Sequence, residues 1–226
     1  PADHVVAQPE VFQHGVCHAA RLAQDGAIVT FGITPDRPET GYGYIQAGAT
    51  LNEDGARAIA RFVEKPDLAT AEGYLQAGDY LWNSGLFVLR ASVWLKALER
   101  CRPDILAACD VAWKNGTSDL SFLRVDAESF AACPSDSIDY AVMERLTGAK
   151  AVAGLPPGVV VPLSAGWSDV GAWDALWQIL PKDDGGNVVQ GRALIQDCRN
   201  TLALSSGRLL ACVGVQGLVV VETPDA

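Results

Sequence analysis

Helical periodicity alternates with β-rich runs up to Leu180 and then stops. After Pro181-Lys182-Asp183-Asp184-Gly185-Gly186-Asn187 only short β-rich runs remain, separated by Gly, Asn and Ser. Alternating strands and helices imply an α/β sheet with helices on both faces, and the tail implies a small all-β region. Proline, charge and a double glycine make 182–187 the expected linker. The expected domains are therefore 1–181 and 188–226. In the tail Val189, Ile195 and Thr201 fall six apart, which suits a β-helix coil; a plain meander fits equally well.

Within the first part, Phe12, Val16, Ala19, Ala20 and Ala23 make an apolar stripe, so 10–25 is expected to be a helix. Strands are expected over Ile28–Ile33, from Thr40 to Ile45 onward, and over Arg57–Glu64, where Pro66 forbids further pairing. Leu68–Ala77 reads as a helix closed by Gly78. Tyr80–Arg90 reads as a strand, and its internal Gly85 marks a bulge or a close approach by a ligand or another backbone. Residues 91–147 read as mostly helical, Ala149–Leu155 and Val159–Leu163 as strands, and Ala172–Leu180 as a helix.

A net charge of −10 argues against a nucleic-acid groove and against an anionic membrane surface. No apolar run is long enough to span a bilayer. The six cysteines form no C-x-x-C pair and no zinc spacing, so they read as small buried hydrophobes of a reducing cytoplasm. His14 and His18 stand at i, i+4, but they share a helix face with Arg21 and Asp25 and read as solvated rather than metal-binding.

Asp3 is a turn aspartate by its local sequence; as a functional group it is a carboxylate at a strand end, the edge where α/β sheets bind ligands. Asp169 lies just before the helix at 172, where a first-turn acid and a metal-binding acid beside phosphates call for the same geometry. Glu64 and Lys65 are adjacent strand-end residues that point to opposite faces unless the turn into Pro66 redirects them. Gly43 belongs either to a hairpin or to a stretch where a missing Cβ lets a ligand approach the backbone. Asn83 offers a donor and an acceptor suited to hydroxyls.

Seven segments, in order, resemble a known family: Pro1-Ala2-Asp3-His4, Val29-Thr30-Phe31-Gly32-Ile33, Glu39–Ile45, Phe62-Val63-Glu64-Lys65-Pro66, Trp82–Phe87, Ser137–Glu144 and Gly166-Trp167-Ser168-Asp169-Val170-Gly171. Together they are similar to mannose-1-phosphate guanylyltransferases, above all to the bacterial long form, in which a mannose-6-phosphate isomerase domain follows. The resemblance implies a Rossmann-like nucleotidyltransferase sheet and transfer of GMP from GTP to α-D-mannose 1-phosphate. It implies Asp3 and Asp169 as Mg²⁺ ligands, Lys65 on the sugar phosphate, and Glu64, Asn83 and the Gly43 backbone on the mannose. Lys65 and Asp169 would carry the catalysis. Asp139 lies in a family motif without a firm role. Another hexose-1-phosphate nucleotidyltransferase, or a non-catalytic sugar-phosphate-binding or interaction fragment, is the alternative.

The family's G-G-x-G-x-R-L-x-P-L segment and the Pro-Lys after it do not precede Asp3 in this sequence. The expectation is an internal fragment lacking the N-terminal part of the sheet and the nucleotide cradle. Lost strands would expose an edge and favour self-association, as a homo-oligomer or less regularly. Residues 1–226 alone are expected to be inactive in pyrophosphate release from GTP and mannose 1-phosphate; turnover at the rate of a longer chain would contradict this.

Overall fold

A computed structural model describes residues 3–226. In chain order the elements are β1 (Val5–Val6), α1 (Pro9–Gln24), β2 (Ile28–Ile33), β3 (Tyr44–Thr50), β4 (Arg57–Val63), α2 (Leu68–Ala77), β5 (Tyr80–Val88), α3 (Ala91–Cys101), α4 (Pro103–Lys114), β6 (Thr117–Asp119), β7 (Phe122–Arg124), α5 (Ala127–Ala131), α6 (Ile138–Ala141), β8 (Gly158–Pro162), β9 (Trp167–Ser168), α7 (Trp173–Ile179) and β10–β14 (Val188–Gln190, Ala193–Gln196, Leu202–Ser205, Leu210–Val213, Val219–Glu222). They form two compact units, one of residues 7–165 and one joining 3–6 to 166–226.

The larger unit is a mixed sheet in strand order β2-β5-β3-β4-β8. Strand β2 runs antiparallel to β5 and parallel to β8. Strand β4 meets β8 at Arg57–Val160 and Ala58–Val159, which closes the five strands into a ring. The open edge expected from lost strands is therefore not seen in this sheet: each of its strands has a neighbour on both sides. Adjacent strand residues face opposite ways, and β2 shows helices on both faces. Phe31 meets Phe12 of α1, whereas Ile28 packs with Ala97, Leu98 and Cys101 of α3 in one core with Ile45, Ile59, Phe62 and Val160. A second core of Tyr44, Tyr74, Tyr80 and Trp82 holds α2, with Tyr74 and Tyr80 stacked at 3.9 Å between ring centroids.

Helix α2 keeps its sequence-expected limits because both ends are capped. The Asp67 side chain accepts from Thr70 N, and Gly78 adopts φ +73 beyond the last turn. One expectation is refined and another corrected. Residues 91–147 are mostly helical, interrupted by β6 and β7, which form an antiparallel hairpin around Leu120 at φ +55. All six hairpin residues are exposed, so no core periodicity marked them. Residues 149–155 form no strand: a 3₁₀ turn over Gly148–Lys150 and a left-handed Gly154 take the backbone out of register for pairing. The His14–His18 face also differs from its reading. His18 is buried with Nε2 2.9 Å from Asn52 Nδ2, while His14, Arg21 and Asp25 stay exposed.

In the smaller unit β10, β12 and β14 pair in parallel, as do β11 and β13. Parallel pairing of every second strand is coil geometry rather than a meander, which would pair successive strands antiparallel. Segment 182–187, expected as a linker, is a bonded turn within this unit. Asp183 Oδ1 accepts from Gly185 N and Asn187 N, and buried Asn187 donates to Cys198 O and accepts from Thr201 N. Linkers and Asx turns share their composition.

Gly78→Ala is expected to cost about 1 kcal/mol, the penalty of one left-handed L-residue. Gly191→Ala is expected to cost about 3 kcal/mol, because φ is +75 and the new Cβ would lie 1.9 Å from Ser205 O. Urea unfolding checks both, and equal losses would contradict the clash.

Candidate active site

Sheet register assembles the first group of polar side chains. Tyr44 pairs with Val63 on one side and Trp82 on the other. The neighbours Gly43, Glu64 and Asn83 therefore fall in one row, and Asn83 N donates to Gly43 O at 2.7 Å. Gly43 is required by space rather than by φ. A Cβ there would stand 2.5 Å from Glu64 Oε2 and 3.3 Å from Asn83 Cβ, so the carboxylate lies directly over the glycine.

Strand β4 ends at Val63, and Lys65 adopts φ +46. That turn overrides strand alternation and brings Lys65 Nζ to 3.1 Å from Glu64 Oε1. The hydrogen bond and charge of Glu64 push the Lys65 ammonium pKa up. The two side chains are unlike in exposure, 58% for Lys65 and 8% for Glu64. The carboxylate is fixed in the wall, while the ammonium can swing outward. Glu64 N donates to Glu144 Oε1 at 3.2 Å, and Glu144 Oε2 is bound by Lys150.

Asn83 is buried and its amide orientation is set from both sides. Oδ1 accepts from the fully buried Thr30 hydroxyl at 2.9 Å, and Nδ2 donates to Asp139 Oδ1 at 3.1 Å. The strand bulges here: the register with β2 shifts between Thr30 and Gly32, and Gly85 takes φ +68. Asp139 and Glu144 flank Ala141, Val142 and Met143, which are buried in the core and anchor both carboxylates against the site. Burial, then the charge of Glu64, pushes the Asp139 carboxyl up to about 6. The positions of Glu144 and Thr30 were missed from the sequence; the buried triplet 141–143 was the available signal.

The second group lies in the smaller unit. Strands β1 and β9 pair antiparallel, Val5 with Ser168 and Val6 with Trp167. Continuing that register sets His4 opposite Asp169, with Asp3 next to His4, so both aspartates sit at one end of the ribbon. Trp167 Nε1 donates to His4 Nδ1 at 3.1 Å, which commits that ring nitrogen. Asp169 Oδ1 accepts from Gly171 N, and Val170 takes φ +50, turning the chain sharply. The turn delays α7 to Trp173, so Asp169 precedes the helix rather than capping it. Among the described residues no group of three or more His, Cys, Asp or Glu could hold a metal. Two carboxylates alone suit a hard cation that keeps waters and shares phosphate oxygens, as Mg²⁺ does.

A family model described as nucleotidyl transferase matches residues 1–185. The xanthan biosynthesis protein XanB of Xanthomonas campestris pv. campestris (strain B100) is 52% identical over the whole chain, which covers 46% of that protein. Mannose-1-phosphate guanylyltransferase ManC of Salmonella typhimurium is 48% identical over the whole chain, again 46% of the relative. The chain thus spans about half the length of the curated relatives it matches. A crystal structure from Thermus thermophilus, named mannose-1-phosphate geranyltransferase, superposes with a TM-score of 0.80 at 32% identity, covering all of this chain and 62% of that one.

The raised carboxyl of Asp139 has a stability consequence. The folded chain keeps a proton that the unfolded chain loses between the ordinary carboxyl range and about 6. Ionised Asp139 therefore costs stability above about pH 6 and nothing below about pH 4. Asp139→Asn should raise Tm near pH 8 and leave it unchanged near pH 4, as read by differential scanning fluorimetry. An equal shift at both pH values would contradict this.

Proposed function

The chain belongs to the nucleotidyl transferase family, and from that premise we propose that the protein carrying it is a mannose-1-phosphate guanylyltransferase. It would join GTP and α-D-mannose 1-phosphate into GDP-mannose and pyrophosphate. The observation that carries the reading is the row of Gly43, Glu64 and Asn83 with Lys65 beside it. A sugar phosphate needs fixed acceptors for hydroxyls and a movable cation for phosphate, and this row holds both.

Glu64, buried over Gly43, would accept from mannose hydroxyls, and the Asn83 amide would bind another. Lys65 would exchange part of its contact with Glu64 for the sugar phosphate, as a point charge. In transfer, a phosphate oxygen of the sugar forms a bond to the α-phosphorus of GTP while the bond to pyrophosphate breaks. No side chain has to be a nucleophile; the chain orients the reactants and supplies charge. Mg²⁺ bound by Asp3 and Asp169 would offset negative charge on the phosphates.

No helix among the described residues is long and apolar enough to cross a membrane, and all six cysteines are free. Both features support a cytoplasmic enzyme, where GTP is made. The acidic net charge supports small-molecule substrates rather than nucleic acid or an anionic membrane.

In the intact protein, pyrophosphate release should be fastest with GTP and mannose 1-phosphate. Faster release with another nucleotide or another hexose 1-phosphate would overturn the choice of substrates. Lys65→Gln should raise KM for mannose 1-phosphate and lower kcat/KM roughly 10- to 100-fold, the worth of a hydrogen bond to a charged group. Asp169→Asn should lower kcat about 100-fold or more.

A further inference from the structure

We propose that Asp139 is a direct ligand of a sugar hydroxyl, acting with Asn83 as a paired acceptor and donor. The assignment rests on the hexose-phosphate reading of the site above. The hydrogen-bond inventory around Asn83 carries it. Asn83 Oδ1 accepts from the Thr30 hydroxyl, whose one proton is shared with Leu86 O, and one of the two Nδ2 protons goes to Asp139 Oδ1. Among the described residues, neither the second Nδ2 proton nor Asp139 Oδ2 has a side-chain partner; the Asp139 carboxylate also accepts from its own backbone N–H. A hydroxyl both donates and accepts, so it matches that pair with one bond of each kind.

The neighbourhood fits a ligand role better than a structural one. Glu64 and Lys65 are the charged groups whose fields act on Asp139, and among the described residues no cation pairs with it. Asn83 would be held as well by a neutral amide at position 139, without the repulsion from Glu64. The chain instead keeps a carboxylate where burial and Glu64 oppose its charge, a pattern typical of binding sites. The carboxyl is also rigidly carried, since Ala141, Val142 and Met143 behind it are buried in the main core. Asp139, Asn83 and Glu64 would thus present acceptor, donor and acceptor to one sugar ring.

The test is isothermal titration calorimetry of the intact protein with mannose 1-phosphate and its 2-, 3-, 4- and 6-deoxy analogues. Wild type and Asp139→Asn are compared, with GMP transfer assayed in parallel. Asparagine keeps an oxygen toward Asn83 Nδ2 and is expected to stabilise the fold above pH 6, so lost binding cannot be ascribed to unfolding. Wild type should bind mannose 1-phosphate roughly tenfold or more tightly than the variant. One deoxy analogue should lose affinity in wild type and lose almost none further in the variant. Unchanged affinity in Asp139→Asn, losses that add for every analogue, or no binding of mannose 1-phosphate by wild type would each overturn the assignment. Binding with the expected pattern but without GMP transfer would sink the guanylyltransferase reading alone and leave the assignment standing.

Discussion

Asn83 is the constraint on which the larger unit's site depends. Its side chain ties β5 to β2 through Thr30 and to α6 through Asp139, and its backbone N–H ties it to Gly43 O at the approach to β3. Each bond adds about 1 kcal/mol net, but removing one partner strands a buried polar group at a cost of about 1–3 kcal/mol. That asymmetry makes the arrangement all-or-none. The bulge at Gly85 is its geometric condition, because a regular strand would not re-aim Asn83 toward both Thr30 and Asp139.

Much of this frame was readable in the residues. Helix α2 announced both ends through Asp67 and Gly78, since capping is local chemistry. Strand β2 reads as a continuous apolar run and is buried on both faces. Gly43 and Gly85 were marked as special, although the residues alone left open whether space or φ required each. What stayed hidden depends on long-range register. Glu64 and Lys65 are adjacent in a strand-like run and belong on opposite faces by alternation; one left-handed residue at Lys65 reverses that. The exposed hairpin of β6 and β7 lies off the core and leaves no periodic trace. His18 looked solvated because its partner Asn52 comes from a distant loop.

The two aspartates illustrate the same limit more sharply. Nothing near Asp3 or Asp169 distinguishes a ligand from a turn residue. The pairing of β1 with β9 sets residues 5–6 beside 167–168 and leaves both acids at one end of that ribbon. In the proposed reading Asp3 and Asp169 would hold a cation that arrives with phosphates, and Glu64, Asn83 and Lys65 would bind the sugar phosphate.

The most direct measurement is a crystal structure of the intact protein with mannose 1-phosphate. The expected result has the pyranose hydroxyls within hydrogen-bond distance of Glu64, Asn83 and Asp139, and the phosphate on Lys65. A sugar bound elsewhere, or one touching Lys65 while leaving Asn83 and Glu64 unengaged, would contradict the site.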